Sequence, residues 1–207
     1  MKFKPFFIFQ FVQVIIILVL FSVLFNGCSS SNCSKKNESK VPQNVFKKAD
    51  QFIISKTGDD FFQKYIFADL LESKQIAQNY LMIYKFFMPE KPYVNETIRF
   101  TVDSTGKVLS QFEVVGIPDC NADPANCDFI VDKKIARQIA SENGLPKGIN
   151  DWKVDFTWDT KYNKYVWNLM CTLKESKGEF GYRANGEKII IDPNNAVVLN
   201  KDTWRIN

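Results

Sequence analysis

The chain has 207 residues, with 27 Lys+Arg against 23 Asp+Glu for a formal net charge of +4, and 45% of its residues are hydrophobic. This balance predicts a folded chain, because disordered chains combine low hydrophobicity with a high net charge. The sequence has no histidine, which excludes Ser-His-Asp triads, Cys-His dyads and His-ligated zinc or haem sites.

The beginning of the chain has the features of a secretory signal. Lys2 and Lys4 precede an apolar stretch from Pro5 to Phe25, and Cys28 follows a glycine. A positive start, an apolar run and small residues at a cleavage point are typical of such signals. The cysteine directly after the glycine makes the segment resemble a bacterial lipoprotein signal. The resemblance implies that Cys28 is acylated and becomes the mature N-terminus, held in membrane lipid.

An uncleaved signal anchor is the alternative, since Phe6 to Phe25 is about long enough to span a bilayer as one helix. Both interpretations predict a cell-envelope protein that is membrane-anchored and faces the periplasm or the cell exterior. Residues 28–43 are polar and lack apolar periodicity, so we expect a flexible tether there.

A first folded unit is predicted over residues 44–118. Thr57 to Ile66 is predicted as a short helix, and Tyr80 to Met88 as a strand. Two further strands, Thr97 to Asp103 and Lys107 to Val115, are expected to be joined by a tight turn.

Residues 119–129 are predicted to be a connector closed by a disulfide between Cys120 and Cys127. Both cysteines flank a short loop rich in Asp, Asn and Pro, and such a pair is expected to be oxidised outside the cytoplasm. A loop of this size contributes about 2.5 kcal/mol in the chain-entropy model. Cys171 lies on an apolar strand face and is expected to be buried and reduced, whereas Cys33 lies in the tether.

The same loop begins like a calcium-binding EF-hand, with acidic or amide residues at Asp119, Asn121 and Asp123. Pro124 stands where that loop needs glycine, and Ile130 stands where it needs a bidentate glutamate. We therefore predict no metal site.

A second unit is predicted over residues 130–207. Asp132 is a suitable N-cap for a helix from Lys133 to Asn143. Strict alternation predicts a strand from Trp152 to Trp158, and a second strand is expected from Tyr165 to Thr172. A loop at Asn185-Gly186 is expected to precede the last two strands, Lys188 to Asp192 and Ala196 to Leu199.

The two units share one pattern. Phe100 to Leu109 aligns with Ile189 to Val198, and an aspartate, Asp103 or Asp192, opens the turn in each. The repeat distance of about 89 residues indicates an internal duplication. Ile130 to Leu199 resembles a PepSY-like domain through its Ala-containing helix, its aromatic hairpin and its terminal Asp turn. The resemblance implies an α+β fold of two tandem cystatin-like units, each a helix packed on an antiparallel sheet.

The aromatic side chains of the second unit are predicted to form the inner face of its sheet. The alternative is a stacking platform for a peptide, a glycan or a lipid. Tyr162 lies in a predicted turn, so it is the candidate ligand-contact aromatic residue.

These observations predict a non-catalytic binding or peptidase-inhibitory module, the latter because inhibition of peptidases has been proposed for some PepSY-like proteins. No catalytic residue and no cofactor is predicted. The expected partners are membrane lipid, through Cys28, and an extracytoplasmic protein or peptide, but no nucleic acid. One alternative is an envelope hydrolase that uses paired carboxylates such as Asp155 or Asp192 in a cleft between the units. The other is a purely structural envelope protein.

Overall fold

The computed structural model describes residues 41–178 and 181–207, all within one compact unit. The predictions for the signal over residues 1–27, for Cys28 and for most of the tether lie outside the described residues. The described part is an α+β fold with three α-helices and two four-stranded antiparallel sheets. None of its helices is long and apolar enough to cross a membrane.

The first sheet is built around one central strand, which pairs with one strand along one side and with two short strands along the other. The central strand is β3, and its long partner is β4. The elements of this half are α1 (Gln43–Thr57), α2 (Asp59–Tyr65), β1 (Ile66–Ala68), β2 (Lys74–Ile76), β3 (Asn79–Phe87) and β4 (Asn95–Val102).

Helix α1 covers one face of this sheet and was missed by the sequence analysis. Val45, Ala49 and Ile53 are fully buried on one side of it, at the four-residue spacing of an amphipathic helix. The Tyr84 hydroxyl on β3 donates a hydrogen bond to Oδ1 of Asp50 on α1 (2.7 Å). Burial and this bond raise the pKa of the Tyr84 hydroxyl, so the neutral phenol remains as the donor.

The predicted strand from Lys107 to Val115 is wrong. The segment touches β4 only at two isolated bridges, which pair Val108 with Val102 and Val115 with Arg99. Between them the Phe112 N–H donates to the Leu109 carbonyl (3.1 Å). This turn interrupts the segment before a continuous ladder can form.

The second sheet is a simple antiparallel meander in the order β5-β6-β7-β8. Its helix begins where it was predicted, because the Asp132 carboxylate accepts a hydrogen bond from the Ile135 N–H (2.8 Å). The elements of this half are a 3-10 helix (Pro124–Cys127), α3 (Lys133–Glu142), β5 (Lys153–Asp159), β6 (Lys164–Gly178), β7 (Gly181–Ile191) and β8 (Val198–Ile206).

The predicted loop at Asn185-Gly186 is also wrong, since both residues lie inside β7. The β6–β7 register shifts between Thr172 and Lys174, beside Gly186. A Cβ atom on Gly186 would lie 1.8 Å from the Cys171 carbonyl oxygen. Glycine is therefore required by a close backbone approach at a bulge and does not mark a turn.

The two Asp turns of the repeat share the aspartate side-chain contact but differ in length. The Asp103 N–H donates to the Lys107 carbonyl (2.9 Å), and the Asp192 N–H donates to the Val197 carbonyl (2.8 Å). Each aspartate side chain also accepts a backbone N–H two residues on, with distances of 2.8 and 2.9 Å. The turn after Asp103 is thus closed four residues on, at Lys107, whereas the turn after Asp192 is closed five residues on, at Val197, so the second turn is one residue longer.

The two sheets share one aromatic core. Phe86 of β3 lies 5.5 Å from Tyr165 of β6 between ring centroids, and Phe129 contacts both rings. The buried Tyr165 hydroxyl donates to the Gly116 carbonyl (2.8 Å), and the Trp167 indole donates to the Val131 carbonyl (2.7 Å). Side chains therefore fill most of the boundary between the sheets.

Candidate binding surface

The longest open sheet edge in the described residues belongs to β8. This nine-residue strand pairs only with β7. The outer side of β4 is partly covered by the segment that carries Val108 and Val115. β5 lies beside the first sheet, since Phe156 packs against Tyr93 (5.4 Å between centroids).

The hydrogen-bonding groups of this edge can be assigned from one contact. The Thr203 N–H donates to Oδ1 of Asp202 (2.8 Å), so it does not point into the ladder with β7. Alternate residues of an antiparallel strand direct their N–H groups to the same side. The N–H groups of Lys201 and Arg205 therefore also face the open edge.

Tyr162, the predicted ligand-contact residue, lies beside the beginning of β8. Its hydroxyl donates to the Leu199 carbonyl (3.3 Å), and its side chain is half-buried. The structure thus places it close to the open edge, with its hydroxyl engaged by the protein.

A basic groove of about 610 Å³ lies at the other end of β8. Lys174 on β6, Arg183 on β7 and Arg205 on β8 line it together with Ile149. The groove is not evident from the sequence, because these cations lie on three different strands and meet only through strand pairing.

The cysteine loop packs against the end of α1. Cys120 and Cys127 are disulfide-bonded in the structure, with Cα atoms 5.5 Å apart, and Cys171 is a buried free cysteine. Lys56 of α1 pairs with Asp119 (2.8 Å), and this hydrogen bond lowers the pKa of the Asp119 carboxyl. The loop therefore fastens the connector to the first helix.

The acidic side chains of this loop bond to the backbone. Asp119 accepts from the Ala122 N–H, and Asp123 accepts from the Ala125 N–H. Asn121 donates to the Ser55 carbonyl of α1 (3.0 Å). The three residues that resemble a calcium motif thus stabilise turns and a helix contact. In the part of the chain that the structure describes, no group of three or more Cys, Asp or Glu side chains could hold a metal ion.

A smaller groove of about 360 Å³ lies between the sheets and is lined by Glu96, Glu113 and Trp158. Glu96 occupies a strand position on the same face as Ile98 and Phe100, which are buried. Burial, and secondarily the charge of Asp155, raise the pKa of the Glu96 carboxyl to about 7. Glu96 could have been recognised from the sequence, because it is a carboxylate at an alternate strand position that is otherwise occupied by apolar residues.

The two aspartates proposed for a hydrolase do not line this groove. Asp192 is 2% exposed and pairs with Lys164 (2.7 Å). Asp155 pairs with Lys153 (2.9 Å) on the same strand. Glu96 is therefore the carboxylate with the most perturbed acidity in the described residues, and Asp155 acts on it only through its charge.

No protein-family model matches this sequence, and a search of curated proteins finds no match. Inference about function therefore rests on the residues and their geometry.

Proposed function

We propose that the protein is a membrane-anchored cell-envelope lipoprotein, acylated at Cys28, that acts as a non-catalytic binding or peptidase-inhibitory module. Two tandem cystatin/PepSY-like units would form the module, and its partner would be an extracytoplasmic protein or peptide. The observation that carries the proposal is the open edge of β8, nine residues long.

An open edge supports binding because an extended peptide can add to it as a further strand. Main-chain hydrogen bonds then supply affinity, and side-chain contacts on each face supply specificity. The outward N–H groups at Lys201 and Arg205 would donate these bonds, and the Thr203 N–H would exchange its bond to Asp202 for one to the peptide. The filled aromatic boundary between the sheets supports the same view, since the groove beside it has a volume of about 360 Å³.

The edge is tested in intact producing cells with a photocrosslinking amino acid at Asp202. We expect a discrete protein or peptide adduct, which Thr203→Pro abolishes because proline removes an outward N–H without removing a ladder bond. Thr203→Val keeps the N–H and should retain the adduct. The crosslinker at Lys133, on the exposed side of α3, is the positional control. Equal adducts from both positions, or none from Asp202, would contradict strand addition and favour a purely structural protein.

The lipid anchor is tested separately by metabolic labelling with a palmitate analogue. We expect the full chain to be labelled and the Cys28→Ala variant to be unlabelled. Equal labelling of both would contradict acylation at Cys28.

An envelope hydrolase is the second candidate function, and the specific observation in its favour is Glu96. A carboxyl with a pKa of about 7 beside a groove has the acidity of a general acid. A panel of glycans and peptides incubated with the full chain tests it. Turnover that Glu96→Gln abolishes and Glu113→Gln preserves would establish the hydrolase and overturn the non-catalytic module.

A further inference from the structure

We propose that the basic groove at the end of β8 binds acidic side chains of the added peptide, so that the ligand of the module is an acidic extended peptide. The inference rests on the proposed edge pairing and names the chemistry of its ligand. Three cations from three neighbouring strands carry it, namely Lys174, Arg183 and Arg205.

The strand register places these cations on one face of the sheet. Lys174 is opposite Asn185 across the β6–β7 pair, and Asn185 is opposite Arg205 across the β7–β8 pair. Arg183 is two residues from Asn185 along β7, and side chains two residues apart share a face. The three positive charges therefore converge on one region of the surface.

These charges have no acidic partner among the residues that the structure describes. Within residues 41–178 and 181–207, none of the three side chains takes part in an ion pair. Glu175 also lines the groove, and its carboxylate accepts hydrogen bonds from the Tyr182 hydroxyl (2.8 Å) and from the Asn150 amide (3.4 Å). Three unpaired cations in a groove form a surface complementary to carboxylates.

The position of Arg205 connects the groove to the open edge. Its N–H faces the edge, while its side chain lines the groove. A residue of an added strand directly opposite Arg205 would have its Cβ about 4.5–5.5 Å from that of Arg205. A glutamate or aspartate there, and a second one two residues away, would both reach the cations.

The shape of the groove favours a peptide over a membrane surface. Ile149 and the β6–β7 hairpin line a concave space of about 610 Å³, and single side chains can enter such a space more readily than a flat bilayer can. The two apolar residues at its margin, Ile149 and Ile206, are 53% and 48% exposed. They would contact the aliphatic part of the acidic side chains.

The test measures binding of two fluorescein-labelled peptides to the purified full chain in detergent. The probes are Glu-Val-Glu-Val-Thr-Val-Thr and the same peptide with Gln in place of both Glu residues. We expect the Glu peptide to bind at least about tenfold more tightly at low salt, as charge-assisted contacts would give. The triple variant Lys174→Ala/Arg183→Ala/Arg205→Ala should reduce this ratio to about one. The exposed pair on α3, Lys133→Ala/Lys134→Ala, is the charge control and should leave the ratio unchanged.

The outcomes separate this inference from the proposed function. If the Glu peptide binds no better than the Gln peptide, the acidic-ligand inference is overturned, even if peptides do add to the edge of β8. If Thr203→Pro leaves the Glu peptide bound while the triple variant releases it, the groove inference is supported and strand addition fails. Binding of the full chain to vesicles that contain phosphatidylglycerol is measured last, for the wild type and the triple variant. If the triple variant loses vesicle binding but keeps its preference for the Glu peptide, the groove is a lipid site and the inference is wrong.

Discussion

The two sheets have similar features but differ in the segment that follows the Asp turn. Each is antiparallel, has a helix before its main strands and carries an Asp turn, which follows β4 in the first sheet and β7 in the second. After Asp103 the chain touches β4 at only two bridges, whereas after Asp192 it forms the continuous strand β8. The first sheet therefore ends in an irregular segment, residues 107–115, which we call the flap. The second sheet ends in an open edge.

This difference leaves the proposed binding edge in the second sheet. The flap partly satisfies the outward groups of β4, since Arg99 and Val115 exchange both backbone hydrogen bonds (3.0 and 2.9 Å). Within the described residues, the outer side of β8 pairs with no further segment, and the basic groove lies at its end. Open edges tend to pair with other chains, and this tendency is the physical basis of the proposed strand addition.

The largest effect is expected from Phe86→Ala, which tests whether the two sheets unfold together. Phe86 is fully buried against Phe61, Phe129 and Tyr165, and its truncation should lower the free energy of unfolding by about 3–5 kcal/mol. All four tryptophans lie in the second half. Urea unfolding should therefore show the same shift by tryptophan fluorescence and by far-UV circular dichroism, although the mutation is in the first sheet.

The neighbouring residue provides the control for this prediction. Phe87 is 38% exposed, and Phe87→Ala should cost less than about 1 kcal/mol. A fluorescence transition unchanged by Phe86→Ala would show that the two halves are independent.

The next largest effect is expected from Gly186→Ala, which disturbs only the sheet with the open edge. The added methyl group would overlap the Cys171 carbonyl oxygen and approach the Trp204 indole nitrogen. We expect a loss of about 3 kcal/mol in the free energy of unfolding. Gly178→Ala adds a methyl group with no neighbouring atom within 4 Å, so it should be nearly neutral in the same urea titration. Equal stability of the two variants would rule out a close approach at the bulge.

The smallest effect is expected from Glu96→Gln, at the groove between the sheets. Burial raises the pKa of the Glu96 carboxyl from 4.5 to about 7 in the folded protein, so the folded state binds the proton more tightly than the unfolded state does. Ionisation of Glu96 therefore lowers stability progressively as pH rises from about 4.5 to 7. Glu96→Gln removes this loss. Relative to the wild type, the free energy of unfolding of the variant at pH 8, measured against its own value at pH 5, should be higher by on the order of 1 kcal/mol, after allowance for solvent screening.

Thermal unfolding at both pH values checks this prediction. Glu113→Gln removes a second carboxylate from the same groove and should retain the pH dependence of the wild type. If Glu96→Gln also retains it, Glu96 is not the group responsible.

Several elements could be predicted from local patterns alone. The Asp132 cap, the helix that follows it and the alternating strand from Trp152 to Trp158 all depend on residues close in sequence. Helix α1 also has a clear apolar spacing, but it was missed beside the lysine-rich tether. Gly186 was misread because glycine signals both turns and close backbone approaches, and only the position of Cys171 distinguishes the two.

The sequence by itself determined the α+β class, the repeated Asp turn and the loop that the two paired cysteines close. These features depend on local periodicity, on short-range hydrogen bonds and on the short loop between the two cysteines. Only the tertiary structure decided which edge is open, which carboxyl is perturbed and which cations converge. Lys174, Arg183 and Arg205 approach one another through strand register, and Glu96 is desolvated by residues from the other half. Such long-range pairings depend on the packing of the whole chain, and no short stretch of sequence specifies them.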